Sequence, residues 1–428
     1  MDFTQNERLN QINEKTLIVG VDVAKHKHVA RAIDERGRDL SKRFVFTNTL
    51  QGFNDLLQWI EGLARKTDHP NPIIGMEPTG HYWFNLAYFL KFKGMKPVVV
   101  NPMKVKRSKE LDDDSPTKND TKDAKVIAQV VRHGRYHDPV LPEDIYAELR
   151  EGIKLYDMIQ EHLSSIKAQM HNVLDRYFPE FLTVFKDWTG KASLHLLEKG
   201  YLPMDIQKKT EEELLRDVKS SAKRAIGIKR MHELKQAASS SIGLTVGLTM
   251  AKQEIRFLVD QYRSLQERLE ALEAQLEDLV LHVPGADHMV EMEGVSSMTV
   301  AGFFAEVGDL SNYRDPRQII KLAGLNLKMN QSGLHKGRTT ITKRGRKRLR
   351  SILYQVARPL SLHNEGFKQL HLYYKHRPKN PLTGKQSFIA LSRKLIKIFF
   401  VIGTRQCSYS KERMIRDIPQ LHGLQMSA

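Results

Sequence analysis

The sequence predicts an α/β domain at the N-terminus followed by an almost wholly helical remainder. Up to about residue 101, short apolar and β-branched runs alternate with turn residues, which is typical of strands. From residue 143 onward, apolar residues recur every three or four positions, the spacing of helices that bury one face. At 428 residues the chain is too long for one compact core and should divide into several domains.

The first 135 residues predict a strand meander followed by a β-α-β unit. The expected elements are strands at 16–23, 28–34 and 40–47, a helix at 49–65, a strand at 72–77, a helix at 80–93, a strand at 96–101 and a helix at about 120–134. A central first strand with later parallel strands beside it is the order of an RNase H-like sheet.

The middle of the chain carries a heptad pattern. Apolar residues from Ile255 to Leu279 alternate spacings of three and four, which indicates a coiled-coil seam. Its partner is either a helix between 143 and 180 of the same chain or a second subunit, and periodicity does not choose. Residues 288–375 read as helical with a loop near 328–342. We expect four domains: an α/β domain at 1–140, a helical coiled-coil region at 141–285, a mainly helical domain at 286–375 and a basic tail at 376–428.

The charge of the chain indicates a polyanionic partner. The formal net charge is +18, and residues 321–360 hold 11 Lys or Arg without any Asp or Glu. Such clusters displace counterions from nucleic-acid phosphates, although ribosomal proteins and solvated basic tails share the feature.

Composition also indicates the cellular compartment of the protein. The single Cys407 excludes an internal disulfide and a Cys-based zinc site, which fits a reducing cytosol. The polar N-terminus and the shortness of the apolar runs predict neither a secretory signal nor a membrane span. We therefore expect a soluble protein of the cytoplasm.

Four carboxylates stand in settings that could converge. Asp22 lies in the apolar run 17–23, where an ionised side chain needs a partner or a metal. Glu77 closes a second apolar run, and Asp120 and Asp123 are three apart on one expected helix face. Such a set predicts a site for two Mg²⁺ or Mn²⁺ ions that catalyses phosphoryl transfer. In the competing interpretation Asp120 is a helix N-cap, Asp123 a first-turn acid and Glu77 a strand terminus.

These carboxylates lie in motifs that resemble the DEDD-type insertion-sequence transposases, the IS110 family. The N-terminal motifs are Gly20-Val21-Asp22-Val23-Ala24-Lys25, Met76-Glu77-Pro78-Thr79-Gly80, Asn101-Pro102 and Lys118-Asn119-Asp120-Thr121-Lys122-Asp123-Ala124. A second set comprises Gly294 to Asp309, Leu322-Ala323-Gly324-Leu325, Gln331-Ser332-Gly333 and Thr342-Lys343-Arg344-Gly345 through Arg350. The resemblance covers roughly residues 16–135 and 288–358.

The resemblance implies a specific chemistry. A RuvC-like N-terminal domain would supply the four carboxylates, and Ser332 of a C-terminal transposase domain would attack DNA to form a phosphoserine intermediate. A non-coding bridge RNA would pair with donor and target DNA. Homodimers would join as a tetramer in synapsis.

The basic residues after the Ser are expected to contact phosphates, since Lys and Arg bind the nucleic-acid backbone without reading sequence. They are Lys336, Arg338, Lys343, Arg344, Arg346, Lys347, Arg348 and Arg350. Two other functions remain open from the sequence. One is a RuvC-like endonuclease that uses water as the nucleophile, and the other is a non-catalytic nucleic-acid scaffold.

Overall fold

A computed structural model describes residues 5–78, 80–112, 120–219, 227–328, 331–332, 335–336 and 339–415. For residues 110–112, 120–122, 331–332 and 335–336 it describes the backbone only. The chain forms two compact units, Met1–Glu143 with Gly308–Ile319, and Asp144–Val307 with Ile320–Ala428. The four-domain division stays a prediction.

The first unit contains a six-stranded sheet and its covering helices. Its elements are α1 (Gln5–Asn10), β1 (Thr16–Asp22), β2 (Lys27–Ile33), β3 (Phe44–Thr47), α2 (Leu50–Thr67), β4 (Asn71–Met76), α3 (Trp83–Phe92), β5 (Lys96–Val100), α4 (Pro102–Asp112), α5 (Asp120–Arg132) and β6 (Tyr136–His137), with a 3₁₀ turn at Leu310–Asn312. The strand order is β3-β2-β1-β4-β5-β6. β1 runs antiparallel to β2 and parallel to β4, which confirms the predicted meander, central first strand and parallel neighbour.

Three elements of this unit escaped the sequence pattern: α1, β6 and α4. The short edge strand β6 pairs antiparallel with β5. Helix α4 occupies much of the polar segment that we expected to be a connection, because it carries little apolar surface and so shows no helical stripe. Its start was nevertheless encoded: Asn101 accepts a hydrogen bond from the Met103 N–H at 2.9 Å, and Pro102 takes the first helical position.

The sheet has an apolar core on each face, which explains why β1 reads as a continuous apolar run. Side chains alternate along a strand, so Leu17, Val19 and Val21 face helices α2 and α3. Ile18 faces the other way, into a cluster with Val126 and other residues of α5.

The second unit is mainly helical. Its elements are α6 (Asp144–Tyr177), α7 (Phe181–Val184), α8 (Lys191–Glu198), α9 (Pro203–Gln207), α10 (Glu211–Lys219), α11 (Ile228–Ser239), α12 (Leu248–Leu281), α13 (Ala286–Val290), α14 (Ser297–Val307), α15 (Pro316–Leu322, which begins in the first unit), β7 (Leu327–Lys328), β8 (Gln331–Ser332), β9 (His335–Lys336), β10 (Thr340–Ile341), α16 (Lys347–His363), α17 (Glu365–His376), α18 (Gly384–Arg405) and α19 (Lys411–Ile415). The mixed α/β beginning and helical remainder are therefore as predicted.

Two 34-residue helices, α6 and α12, pack along each other. The heptad residues Ile255, Leu258 and Leu269 are buried, and Leu276 reaches so close to Gly152 of α6 that a Cβ there would lie 2.7 Å from its Cδ2. The partner of the seam in this structure is thus a helix of the same chain, the first of the two alternatives. The short helices α7 to α11 share a core with one end of this pair.

Much of the described part of the expected basic tail is helical. Residues 384–405 form α18, whose Leu391, Leu395 and Phe399 are completely buried. Basic residues lie between these apolar positions, so the charge pattern predicted a basic tail in place of an amphipathic helix. None of the helices in the described part of the chain is long and apolar enough to cross a membrane.

Truncating Leu276 should test the α6–α12 pairing. Leu276→Ala should lower the free energy of unfolding by about 2–5 kcal/mol, because it opens a cavity against Gly152. Leu281→Ala, at an exposed site of the same helix, should change it by less than about 0.5 kcal/mol. Urea denaturation measures both, and equal effects would contradict the pairing.

Candidate active site

Two acidic residues come together at one edge of the sheet. Asp22 is the last residue of β1, and Glu77 directly follows β4. The strands are parallel and in register, with Val21 opposite Met76, so both acids lie at adjoining carboxyl ends. The crevice outside such ends is where open α/β sheets bind their ligands.

Both acids follow residues that face helix α5. A Cβ on Gly20 would lie 2.1 Å from the Ala124 carbonyl oxygen, and one on Gly75 would lie 2.4 Å from a methyl of Val131. Since side chains alternate along a strand, Asp22 shares the face of Gly20. The missing side chain of Gly20 lets the helix backbone approach β1 closely, and that of Gly75 leaves room for the Val131 side chain against β4.

The direction of α5 brings its N-terminus toward the acidic edge. At the helix C-terminus, Arg132 Nη1 donates a hydrogen bond to the Arg36 carbonyl oxygen at 3.1 Å. Arg36 follows β2, whose end lies at the opposite edge of the sheet from Asp22. The first turn of α5, with Asp120 and Asp123, therefore lies toward Asp22. The side chain of Asp120 falls outside the described residues.

The donor chemistry of this edge fits a hard divalent ion. Asp123 already has a cationic partner, the Lys109 ammonium, whose Nζ lies 2.6 Å from Oδ2. Carboxylate oxygens are the ligands that Mg²⁺ and Mn²⁺ prefer. Among the side chains described, no three His, Cys, Asp or Glu are grouped closely enough to hold a metal. The predicted set of four includes Asp120, so metal binding stays a prediction.

The loop after Asp22 is fixed from behind by two residues that we did not assign. Buried His28 accepts a hydrogen bond from the Ala24 N–H through Nδ1 at 3.1 Å, and burial lowers its pKa, which favours the neutral ring that this bond requires. Asn48 donates to the Lys25 carbonyl oxygen at 3.1 Å through its side chain. Exposed Lys25 is thereby held three residues from Asp22. The sequence signal for Lys25 was the motif from Gly20 to Lys25, which also contains Asp22.

Ser332 lies on β8, in the segment 327–341 between two glycine motifs that pack against each other; we call this segment the serine arm and the two motifs its base. Strand β7 pairs with β10, and β8 pairs with β9 so that Ser332 is opposite His335. At the base, a Cβ on Gly345 would lie 2.3 Å from the Leu322 carbonyl oxygen, and Gly324 has a φ of +66°. The two motifs that flank the arm thus contact each other. The side chain of Ser332 lies outside the described residues.

Two family models match the chain. The first covers the region of the carboxylates and the second covers the region of Ser332. A transposase model of the DEDD IS110 type matches residues 19–179, and the model of the IS116/IS110/IS902 transposase family matches residues 286–372. The chain belongs to the IS110 family of transposases. It is therefore an enzyme of DNA transposition.

Two similar proteins extend along most of this transposase, and a third matches less than half of it. The pilin gene-inverting protein of Moraxella bovis is 23% identical over 391 residues, which cover 90% of this chain and 94% of that protein. The IS116 uncharacterized 44.8 kDa protein of Streptomyces clavuligerus is 24% identical, with the same coverage. The transposase of insertion element IS1111A from Coxiella burnetii is 27% identical over 43% of this chain and 50% of its own length.

The expected phosphate contacts of the transposase divide into two groups. The guanidinium of Arg348 forms a bidentate ion pair with the Asp157 carboxylate, with Nη2 2.7 Å from Oδ1. Arg346 donates to the Glu306 carbonyl oxygen, and Arg350 donates to the Ala323 carbonyl oxygen at 3.0 Å. These three arginines hold elements of the protein together.

Three other cations of the same segment, Lys343, Arg344 and Lys347, are exposed. They are the better candidates for phosphate contacts, because their charges are open to solvent. The Lys336 side chain and all of Arg338 lie outside the described residues. The sequence could not make this division, since all eight look alike as isolated charges.

Adding one methyl group at Gly20 should test how α5 is placed. Gly20→Ala should destabilise the first unit by at least about 1–3 kcal/mol, because the new Cβ meets backbone atoms that cannot rotate away. Gly62→Ala, in α2 with open space around it, should stabilise by about 0.4–1 kcal/mol. Urea denaturation compares them. A neutral Gly20→Ala would contradict the close approach.

Proposed function

We propose that this transposase cuts and joins DNA strands with RuvC-like carboxylates and a serine nucleophile. The carboxylates are Asp22, Glu77, Asp120 and Asp123, and the nucleophile is Ser332. The observation that carries the proposal is the meeting of Asp22 and Glu77 at adjoining strand ends, toward which the first turn of α5 points.

DEDD transposases generally depend on divalent metal ions. We infer that the four carboxylates hold Mg²⁺ or Mn²⁺ here. The bound ions would supply charge stabilisation for an in-line displacement at phosphorus. The protein orients their ligands through strand ends and a helix that are rigidly packed, and the Lys109 ammonium balances the charge of Asp123.

Ser332 would act in two balanced steps. Its Oγ forms a bond to the DNA phosphorus while the bond from phosphorus to one sugar oxygen breaks, and the serine proton is lost as the leaving oxygen gains one. Attack by the hydroxyl of another DNA end then reverses the exchange and releases the serine. Covalent catalysis of this kind conserves the energy of the phosphodiester bond during strand exchange.

Nucleic acids would bind along the basic part of the chain. Lys343, Arg344 and Lys347 lie on either side of the base of the serine arm, so phosphates bound there would lie near the arm. We infer that donor and target DNA are bound together with a bridge RNA that pairs with both. The pilin gene-inverting relatives are named for a DNA rearrangement, which is in keeping with strand exchange.

The proposed assembly is a homodimer, with a tetramer in synapsis. Joining two DNA sites needs cuts in four strands, which is a natural task for four copies of a single nucleophile. We place the protein in the cytoplasm, at the nucleoid where its DNA substrate lies.

Removal of the serine hydroxyl should separate this function from metal-dependent hydrolysis by water. Wild-type protein with Mg²⁺, guide RNA and labelled DNA should leave a denaturant-resistant protein–DNA adduct. Ser332→Ala should lose both the adduct and cleavage while keeping DNA affinity within about twofold. Asp22→Asn should lose both as well, since it removes a ligand charge at almost constant volume.

Denaturing gels measure adduct and cleavage, and filter binding measures affinity. Gln51→Leu, at an exposed site of α2, is the control and should react like the wild type. Cleavage by Ser332→Ala at the normal rate would show that water is the nucleophile. Normal cleavage by Asp22→Asn would remove the metal site from the mechanism.

The basic residues should show their division in salt titrations of duplex DNA binding. Replacing Lys343, Arg344 and Lys347 with Gln should reduce the log–log salt slope by about 0.9 per lost contact, or about 2.7 in all. Arg348→Gln should leave the slope nearly unchanged but lower the urea midpoint, because Asp157 loses its partner. The reverse pattern would overturn the assignment.

A further inference from the structure

A cleft in the second unit lies beside the exposed cations. It has a volume of about 910 Å³ and is bounded by α6, the turn before α14, and α16. We call it the α16 cleft. Pockets of this size hold small organic groups. It lies entirely within one unit and shares no residue with the acidic edge.

The floor of the α16 cleft is apolar and its rim is polar. The floor is formed by Ile153, Val295, Met298, Ile352, Val356 and Pro359. Tyr156 stands at one side, where Gln160 donates to its hydroxyl at 3.2 Å and burial raises its pKa. An apolar floor beside an aromatic ring suits a flat, weakly polar group.

The rim offers hydrogen-bonding groups of both kinds. The side chains of Ser351 and Gln355 line the cleft and are exposed, so they are available as donors or acceptors. Pro359 lies inside α16 and has no N–H, so it cannot donate the usual helical hydrogen bond to the Gln355 carbonyl oxygen. A ring edge with both donors and acceptors would find partners here.

The charges of the α16 cleft lining leave one cation free to meet an anion. Lys347 lines its mouth, and Arg348 lines it as well but is paired with Asp157, the acid of the lining. The remaining unpaired charge of the lining is therefore positive among the described residues. A nucleotide combines these features, because it joins a flat ring with polar edges to a phosphate through a sugar.

We propose that the α16 cleft receives one unstacked base of the bound nucleic acid, while Lys347 contacts its phosphate. The proposal rests on the nucleic-acid binding proposed above but not on the serine or metal chemistry. An unpaired or flipped base loses its stacking partners, and an aromatic or apolar pocket replaces them. The same chemistry serves a base of RNA or of DNA.

Binding of 20-nucleotide single strands in EDTA tests the proposal without cleavage. One set of strands carries a central 2-aminopurine, and the other carries a central abasic site; each is made as RNA and as DNA. The fluorescence of 2-aminopurine should rise when the wild-type protein takes the base out of its stack. The abasic strand should bind about tenfold more weakly than the intact strand, given typical stacking contributions per base.

Three variants locate the base. Tyr156→Ala and Gln355→Leu should each abolish the fluorescence rise and bind the intact strand about tenfold more weakly, with no loss for the abasic strand. Tyr156→Phe should retain the signal, because the ring remains. Gln275→Leu, an exposed glutamine of α12 outside the cleft, is the matched control and should behave as wild type.

The outcomes are distinct. A response confined to RNA strands assigns the base to RNA, and one confined to DNA strands assigns it to DNA; either supports the proposal. Equal affinity for intact and abasic strands, or full fluorescence in Gln355→Leu, overturns it. Gln355 is exposed, so its replacement keeps the test valid even if Tyr156→Ala fails to fold. If the wild-type protein bound none of the strands, the result would contradict the proposed nucleic-acid binding itself.

Discussion

The close approach of helix α5 to the central strands is the constraint on which the acidic edge depends. Backbone atoms of the helix lie where the side chain of Gly20 would be, and the Val131 side chain lies where that of Gly75 would be, so this packing favours glycine on both strands. The approach carries the first turn of α5 to the level of the strand ends that bear Asp22 and Glu77. A looser packing would move this turn away from the strand ends, whereas the proposed metal site needs its carboxylates within a few ångströms of one another.

In the C-terminal part the same side-chain type serves two purposes. Arginine offers a rigid fork of donors, so Arg346, Arg348 and Arg350 can each satisfy carbonyl or carboxylate acceptors inside the fold. The exposed Lys343 and Lys347 are point charges on flexible stems, which suit mobile phosphates. The positive charge of the segment is therefore both a binding surface and a set of internal braces, and mutating it wholesale would mix the two effects.

The sequence predicted the sheet well because its signals are local and strong. Apolar runs, turns and their order are sufficient to place β1 at the centre, and the position of Asp22 in an apolar run already demanded a partner. What failed had weak or misleading local signals. Helix α4 lacks an apolar stripe, and α18 was hidden by its basic residues although Leu395 and Phe399 are completely buried.

Other features depend on the packing of distant segments, which no local pattern contains. Which arginines pair inside the protein depends on partners distant in sequence, such as Asp157, the partner of Arg348. The role of His28 follows from one hydrogen bond behind the loop that follows Asp22. The α16 cleft combines three helices, and its residues are unremarkable in sequence until the fold brings them together.

The interlocked base of the serine arm has a consequence for how this protein can change. Gly324 and Gly345 contact each other before the chain leaves for the arm and after it returns, so the base closes upon itself whatever lies between. Changes at exposed Leu327 and Lys328 are then confined to the segment between the two glycines and do not transmit strain to α15 and α16. The reach of that segment can diversify while the surrounding helices and the proposed nucleophile Ser332 stay the same.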